Sequence, residues 1–110
     1  MDSKQKRKIQ LHKLELDEKY LSRKLTEMVE KLPIISQNLK LYKQKFNVQD
    51  KSKLLIHEKA LIKILAINHR TLKLINEHDL IRFMDLFGLK IYSIRDVEYF
   101  LKISIKKHRN

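Results

Sequence analysis

The sequence contains no cysteine and no tryptophan, and it has only one glycine and one proline in 110 residues. Without cysteine the chain can form neither a disulfide nor a thiolate metal site, which suits a reducing compartment. So few turn-forming residues disfavour a sheet built from tight hairpins, and they favour helices joined by short polar links. No apolar run approaches the roughly 18 residues of a membrane span, and the N-terminus lacks a signal-peptide core. We therefore expect an all-α, soluble, intracellular domain.

Positive charge is what the sequence has in excess. The 25 lysines and arginines against 13 acidic residues give a formal net charge of +12. Such a charge attracts polyanions. Lysine, which outnumbers arginine 19 to 6, acts as a point charge on phosphate, whereas arginine is the usual reader of guanine edges. The composition predicts contact with the nucleic-acid backbone without base readout. An acidic protein partner and a role in solubility alone are the alternatives.

The N-terminal third of the chain predicts a basic arm followed by an amphipathic helix. We interpret residues 1–13 as the arm and residues 14–110 as a single helical domain. Apolar residues in the helix follow heptad spacing, and this narrow seam suits either a coiled coil with another chain or packing within the same domain. The seam consists of Leu11, Leu14, Leu21, Leu25, Met28 and Leu32. Pro33 is expected to stop or kink the helix.

Three further segments are predicted after Pro33. A helix is expected over 34–46, and the longest apolar segment, 53–87, is predicted to be either one helix or two, because the polar run Asn68–Thr71 interrupts it. Gly88 stands where a helix would end in a left-handed conformation. After a short extended piece, Ser93 is placed to cap a last helix, with Asp96 three residues on closing a capping box.

This C-terminal stretch resembles the end of the histone fold. Ser93, the Asp96-Val97 pair, the Leu101-Lys102 pair and a basic tail resemble the last loop and short third helix of histone-fold proteins, particularly small kinetochore subunits. The resemblance implies a short first helix over 34–46, a loop over 47–52 and a long central helix over 53–87. A second loop over 88–92 and a third helix over 93–105 would follow. The N-terminal heptad helix would be an addition to that fold.

The resemblance also implies partners and a site. Histone folds pair with a second chain, so we expect a second histone-fold or helical protein, with the interface formed by Leu61, Ile64, Leu65, Leu72, Leu80, Phe83, Met84 and Phe87. The positions expected to contact the DNA backbone are Lys51, Lys53, Lys90, Lys106, Lys107 and Arg109. The chain would then be a non-enzymatic DNA-binding subunit of a chromosomal complex such as the kinetochore, at the centromere. It would be located in the nucleus, or otherwise in the cytoplasm.

Two other functions are compatible with the sequence. The first is a helix-turn-helix over 77–101, with helix 77–87, a turn around Gly88 and a recognition helix from Ser93. Its would-be recognition helix presents Ile94, Glu98 and Phe100, however, and these are not the arginine or asparagine residues that usually contact base edges. The second is a coiled-coil assembly subunit without a nucleic-acid role.

No catalytic or metal-binding pattern is found in the sequence. It contains no glycine-rich phosphate loop and no nucleophile elbow. Its histidines are dispersed, and none is followed four residues later by a second histidine, as a helical zinc site requires. They are His12, His57, His69, His78 and His108. We expect no metal, no cofactor, no small-molecule substrate and no enzymatic activity.

Overall fold

The computed structural model describes the backbone of residues 3–105 and the side chains of residues 16–105. Over this range the chain forms five α-helices and a three-stranded antiparallel sheet. The helices are α1 (Ser3–Glu30), α2 (Leu32–Gln44), α3 (Glu58–Leu65), α4 (His69–Glu77) and α5 (Ile94–Tyr99). The strands are β1 (Leu55–His57), β2 (Met84–Leu86) and β3 (Leu89–Ser93). A 3₁₀ turn (Lys51–Lys53) precedes β1, and a π-helical turn (Phe100–Ser104) follows α5.

The expectation of an all-α, histone-like fold is wrong, because the described part of the chain contains a sheet and no central helix over 53–87. The prediction rested on the scarcity of glycine and proline. A hairpin needs only one tight turn, however, and the single glycine is placed in it: Gly88 lies between β2 and β3 with φ +84°. Gly88 therefore closes a hairpin and does not end a helix. The three strands are short, and their Leu, Ile and Met residues are equally compatible with helix.

Helices α1 and α2 form one side of the molecule. The buried residues Leu21, Leu25 and Met28 of α1 belong to the main hydrophobic core, so this part of the heptad seam packs within its own chain. Leu11 and Leu14 of the seam lie outside the described side chains. The helix ends at Glu30 and α2 begins at Leu32, as the position of Pro33 predicts, since proline is tolerated in the first turn of a helix. The division into an arm over 1–13 and a domain over 14–110 stays a prediction.

The segment predicted as the central helix divides at two caps. The ring nitrogen Nδ1 of His57 accepts the backbone N–H of Ala60 at 3.3 Å and starts α3. Helix α3 ends at Ala66, which has a left-handed φ of +54°. Asn68 then caps α4, because its Oδ1 accepts the backbone N–H of Thr71 at 2.8 Å. The polar run Asn68–Thr71 is therefore the start of a new helix.

The sheet has the strand order β1-β3-β2, with both pairs antiparallel. Ile56 of β1 lies opposite Tyr92 of β3, and both are completely buried, so this face of the sheet packs on the helices. Leu86 lies opposite Leu89, which leaves Phe87 and Gly88 as a two-residue loop. The β2–β3 hairpin thus follows α4 and returns along β1.

The last helix confirms one prediction from the sequence. Ser93 caps α5, since its hydroxyl accepts the backbone N–H of Asp96 at 3.1 Å and donates to the Asp96 carboxylate at 2.9 Å. Val97, Phe100 and Leu101 are buried in the core. A salt bridge of 2.8 Å from Lys43 to Glu98 also ties α2 to this C-terminal helix.

Ala66 offers a test of the break between α3 and α4. A side chain in the left-handed region is strained by its Cβ atom, and glycine is free of that strain. We expect Ala66→Gly to raise the free energy of unfolding by about 0.5–1 kcal/mol, the relief of strain being partly offset by the greater entropy of glycine in the unfolded chain. Urea unfolding measures this change. A loss of stability would show that residue 66 is not left-handed and that α3 continues through it.

Candidate nucleic-acid interface

Helices α3 and α4 form a helix-turn-helix. They are joined by Ala66, Ile67 and Asn68, and a turn of three or four residues is typical of this motif. Ala66 turns the chain with its left-handed backbone, and Asn68 starts the second helix as its cap. The β2–β3 hairpin comes next in the chain. Two consecutive helices joined by a short turn are therefore followed directly by a hairpin.

The exposed surface of α4 is a narrow polar strip. At 100° per residue, positions four apart lie one above the other, so His69, Lys73 and Glu77 share a line that is exposed along its whole length. Arg70 lies next to this line and is also exposed. The strip thus presents hydrogen-bond donors, acceptors and two permanent positive charges on one helix.

Helix α1 borders the strip on one side through Tyr20. The Tyr20 hydroxyl lies 3.0 Å from the Asn68 amide nitrogen, which donates to it, and 3.3 Å from the Thr71 hydroxyl. The hydrogen bonds with Thr71 and then Asn68 lower the pKa of Tyr20 below its usual value, and the charges of Lys24 and Arg70 act in the same direction. The contact fixes α1 at the N-terminal end of α4.

Arg70 is held in place by the same helix. Its guanidinium carbon lies 4.0 Å from the centre of the Tyr20 ring, and a terminal nitrogen lies 3.4 Å from a carboxylate oxygen of Asp17. A cation over an aromatic face together with a carboxylate limits the conformations of an otherwise flexible side chain. Arg23 and Lys24 lie 5.5 Å from the same ring. The arrangement concentrates positive charge where α1 meets α4.

The sheet borders the strip on the other side through a buried polar pair. The amide nitrogen of Asn76 in α4 donates to the Tyr92 hydroxyl at 2.8 Å, and that hydroxyl lies 3.1 Å from the Asn76 carbonyl oxygen. Burial raises the pKa of Tyr92, so the hydroxyl stays protonated and able to donate. Since Tyr92 belongs to β3, the pair fixes the hairpin relative to α4.

Two basic residues lie in or beside the hairpin. Arg82 is exposed just before β2, and the Lys90 ammonium group in β3 lies 5.4 Å from the centre of the Phe83 ring. Phe83 in turn lies 6.0 Å from Tyr92, ring centre to ring centre. These contacts attach the hairpin to the core through Phe83, and Lys90 and Arg82 place positive charge in and beside the hairpin.

The lysines predicted from the sequence to contact DNA do not share one edge. Lys51 and Lys53 lie in the 3₁₀ turn, where the Lys51 ammonium donates to the backbone carbonyl of Lys43 at 2.9 Å. The pairing of Leu55 with Ser93 places that turn at the far end of β3 from the hairpin loop, whereas Lys90 is close to the loop. The other three predicted contacts, Lys106, Lys107 and Arg109, lie outside the described residues. The set as a whole stays a prediction.

The residues predicted as a dimer interface divide into two groups. Four of them belong to the core of this chain, and Leu80 packs partly against it; the four are Leu61, Ile64, Leu65 and Leu72. Phe83, Met84 and Phe87 are exposed in or beside the hairpin. An interface between chains stays a prediction, but the described residues form no central helix of the kind that was expected to carry it.

The helix-turn-helix predicted over 77–101 is wrong in position. Residues 84–93 of that segment form the hairpin, and the two helices joined by a short turn, α3 and α4, lie earlier in the chain. Arg70 and Lys73 were not identified from the sequence, because the run from Asn68 to Thr71 was interpreted as an interruption. An asparagine followed after three residues by threonine and an apolar run is a helix-start signal that could have revealed them.

The described histidines either form hydrogen bonds with the backbone of helices or lie at the surface. His57 caps α3, and Nδ1 of His78 lies 2.9 Å from the carbonyl oxygen of Leu74. His69 is exposed on the strip, 4.0 Å from the Glu58 carboxylate. Among the side chains of residues 16–105, no three histidine or acidic groups converge on a point where a metal could bind. None of the helices within residues 3–105 is both long and apolar enough to cross a membrane.

Comparisons with known proteins found no match: no protein-family model, no curated protein and no solved structure is significantly similar to this chain. They neither support nor refute the resemblance to histone-fold proteins. The function is therefore inferred from the geometry of the chain itself.

Proposed function

We propose that this chain is a non-enzymatic DNA-binding protein that inserts α4 into the major groove of a duplex. The observation that carries the proposal is the exposed strip of His69, Arg70, Lys73 and Glu77 on the second helix of a helix-turn-helix, bordered by α1 and by a hairpin. The order helix, strand, two helices and hairpin from α2 to β3 is that of a winged helix-turn-helix. In helix-turn-helix proteins the second helix contacts base edges from the major groove.

Charge supports the proposal. The whole chain carries +12, Arg23 and Lys24 of α1 lie near the Tyr20 ring that also contacts Arg70, and the hairpin contributes Lys90. Lysine and arginine that neutralise phosphates release counterions, which makes the affinity strongly dependent on salt. Arg70 is the arginine on the strip, and a planar guanidinium held by Tyr20 suits the O6 and N7 atoms of guanine. Lys73 is suited to phosphate.

The sequence already predicted contact with DNA. The proposal moves that contact from the predicted loop and tail lysines to the exposed strip of α4. The histone-like pairing is no longer part of it. A nuclear, chromosomal location suits a DNA-binding protein and stays a prediction.

The test compares two pairs of charge-removing substitutions. Arg70→Gln with Lys73→Gln should flatten the plot of log affinity against log salt by about 0.9 for each phosphate that the protein no longer neutralises. It should also weaken binding by about tenfold or more, since a good contact to a base contributes roughly 1–3 kcal/mol. Fluorescence anisotropy with a labelled duplex between low and physiological salt measures both effects.

Lys40→Gln with Lys102→Gln is the matched control. Both residues are exposed and line a groove between α2 and the C-terminal helix, away from α4, and the pair removes the same charge. We expect the control to bind nearly as the parent does. Equal reductions of affinity in the two pairs would mean that net charge alone attracts DNA and that α4 is not the binding surface. Absence of binding by the parent even at low salt would leave an assembly role as the function.

A further inference from the structure

The loop of the β2–β3 hairpin contains a residue that the fold does not require. Phe87 and Gly88 have φ values of +54° and +84°, which is the pattern of a tight hairpin turn with two left-handed residues. Asparagine, aspartate or glycine normally occupies the first of these positions, because a bulky side chain is strained there. The Phe87 ring is also fully exposed, with a relative exposure of 104%. One position thus combines backbone strain with the exposure of a large apolar group.

The hairpin holds Phe87 in this exposed position. The Asp85 carboxylate accepts the backbone N–H of Gly88 at 2.9 Å, which closes the turn. The base of the hairpin is attached to the core through the contact of Phe83 with Tyr92. The neighbours Leu86 and Leu89 are exposed too, so the turn presents three apolar side chains and buries none of them. Residues 86–89 therefore form an exposed apolar loop that the hairpin holds in place, and this loop is the tip of the hairpin.

The position of the tip relative to α4 is fixed. The hydrogen bonds between Asn76 and Tyr92 join α4 to β3. Phe87 is five residues from Tyr92, and at about 3.3 Å per residue the tip lies about 16 Å farther along the strand. That reach is larger than the roughly 12 Å width of the major groove, so the tip can extend beyond the groove that α4 would occupy. Arg82, just before β2, and Lys90, which lies opposite Asp85 next to the loop, would face the phosphates that the hairpin crosses.

We propose that Phe87 is an apolar wedge that enters the minor groove beside the site of α4, inserts partly between two base pairs and kinks the duplex. The inference rests on the proposed function and adds DNA bending to it. Proteins that bend DNA use phenylalanine, leucine and similar side chains in this way, and the loss of base stacking is offset by the additional protein surface that the bent duplex contacts. Leu86 and Leu89 would contact the sugar edges that the wedge opens.

DNA explains the tip better than a second copy of the chain does. Two copies would each carry +12 and would repel one another. Basic residues beside an apolar tip match a ligand that has phosphates outside and stacked bases inside. Strain retained at one residue is typical of a functional position.

The test uses the full chain with a duplex of about 30 base pairs carrying a fluorescent dye at each end. Binding of the parent should raise energy transfer between the dyes, as expected for a kink in the range of roughly 20–90°. Phe87→Asn places a residue that suits the left-handed turn, so it should fold at least as well as the parent. It should bind the duplex within about tenfold of the parent's affinity while the energy transfer falls to that of the free duplex.

Phe46→Asn is the control, because it makes the same substitution at a phenylalanine that lies after α2, far along the chain from the hairpin, and is 37% exposed with its ring against Tyr42. It should bend DNA as the parent does. Bending by Phe87→Asn equal to the parent's, or binding by the parent without bending, would overturn the wedge and leave the proposed function intact. Failure of the parent to bind would overturn the proposed function itself. A parent that sediments as a dimer, with Phe87→Asn a monomer, would assign the tip to a second copy and overturn the wedge.

Discussion

Leu65→Ala is expected to lower the free energy of unfolding by about 2–5 kcal/mol, the usual cost of removing a fully buried leucine side chain. Leu65 lies at the end of α3 with no exposed surface, and it belongs to the same hydrophobic core as residues from α1, α4 and the sheet. The substitution deletes the apolar surface and leaves a cavity that rigid neighbours on several sides cannot easily fill. Urea unfolding monitored by circular dichroism measures the decrease in stability.

The same experiment discriminates between a core position and a dimer interface. A side chain buried within one chain gives an unfolding midpoint that does not change with protein concentration, whereas an obligate dimer becomes more stable as concentration rises. We expect no concentration dependence for the parent or for Leu65→Ala. Leu41→Ala is the control, since Leu41 is exposed on α2 and its removal should lower the free energy of unfolding by less than about 0.5 kcal/mol. An unfolding midpoint that rises with protein concentration would instead indicate that Leu65 lies in an interface between chains.

The sequence could predict those elements whose signals are local. Ser93 with Asp96 is a capping box that depends on residues three apart, and Pro33 has the same effect on a helix in any fold, so both predictions are confirmed. The buried character of Leu61, Leu65 and Leu72 was also evident. Whether that burial lay within one chain or between two could not be decided from periodicity.

The extended piece predicted before Ser93 is β3, but the sheet as a whole could not be predicted, because β1 and β2 are too short to give a clear strand pattern. Strand β2 is three residues long, and its pairing with β3 depends on a two-residue turn with phenylalanine where asparagine is usual. Strand β1 pairs with β3 between positions far apart in the sequence, such as Ile56 and Tyr92. Contacts between residues that far apart in the sequence do not change the local periodicity of apolar residues. Because the sheet was not foreseen, the segment 53–87, which contains β1, α3, α4 and β2, was predicted to be one helix or two.

The candidate site was missed for the same reason. Arg70 and Lys73 are ordinary charges in an interrupted helix, and they become a surface only when α1 and β3 border them. Asp17 lies 53 residues from Arg70 in the sequence, and Tyr20 lies 51 residues from Thr71. Only tertiary structure brings these groups together.

The Asn76–Tyr92 pair is expected to matter to both stability and binding, because it is a buried polar contact between α4 and the hairpin. Tyr92→Phe keeps the ring and removes the hydroxyl, which leaves the Asn76 amide without that partner in a site where only 7% of the residue is exposed. An unsatisfied buried polar group costs about 1–3 kcal/mol, so the free energy of unfolding should fall by that amount.

A double-mutant cycle isolates the contribution of the pair. Asn76→Leu combined with Tyr92→Phe replaces both polar partners with apolar groups, and this should recover much of the stability that Tyr92→Phe alone removes. DNA affinity should behave differently: we expect it to stay reduced in the double variant, since an apolar contact lacks the directional bond that fixes the hairpin relative to α4. Urea unfolding and fluorescence anisotropy on the same proteins measure the two quantities. If stability and affinity recover together, the pair serves packing alone, and the orientation of the hairpin is set by the remaining core contacts of β3.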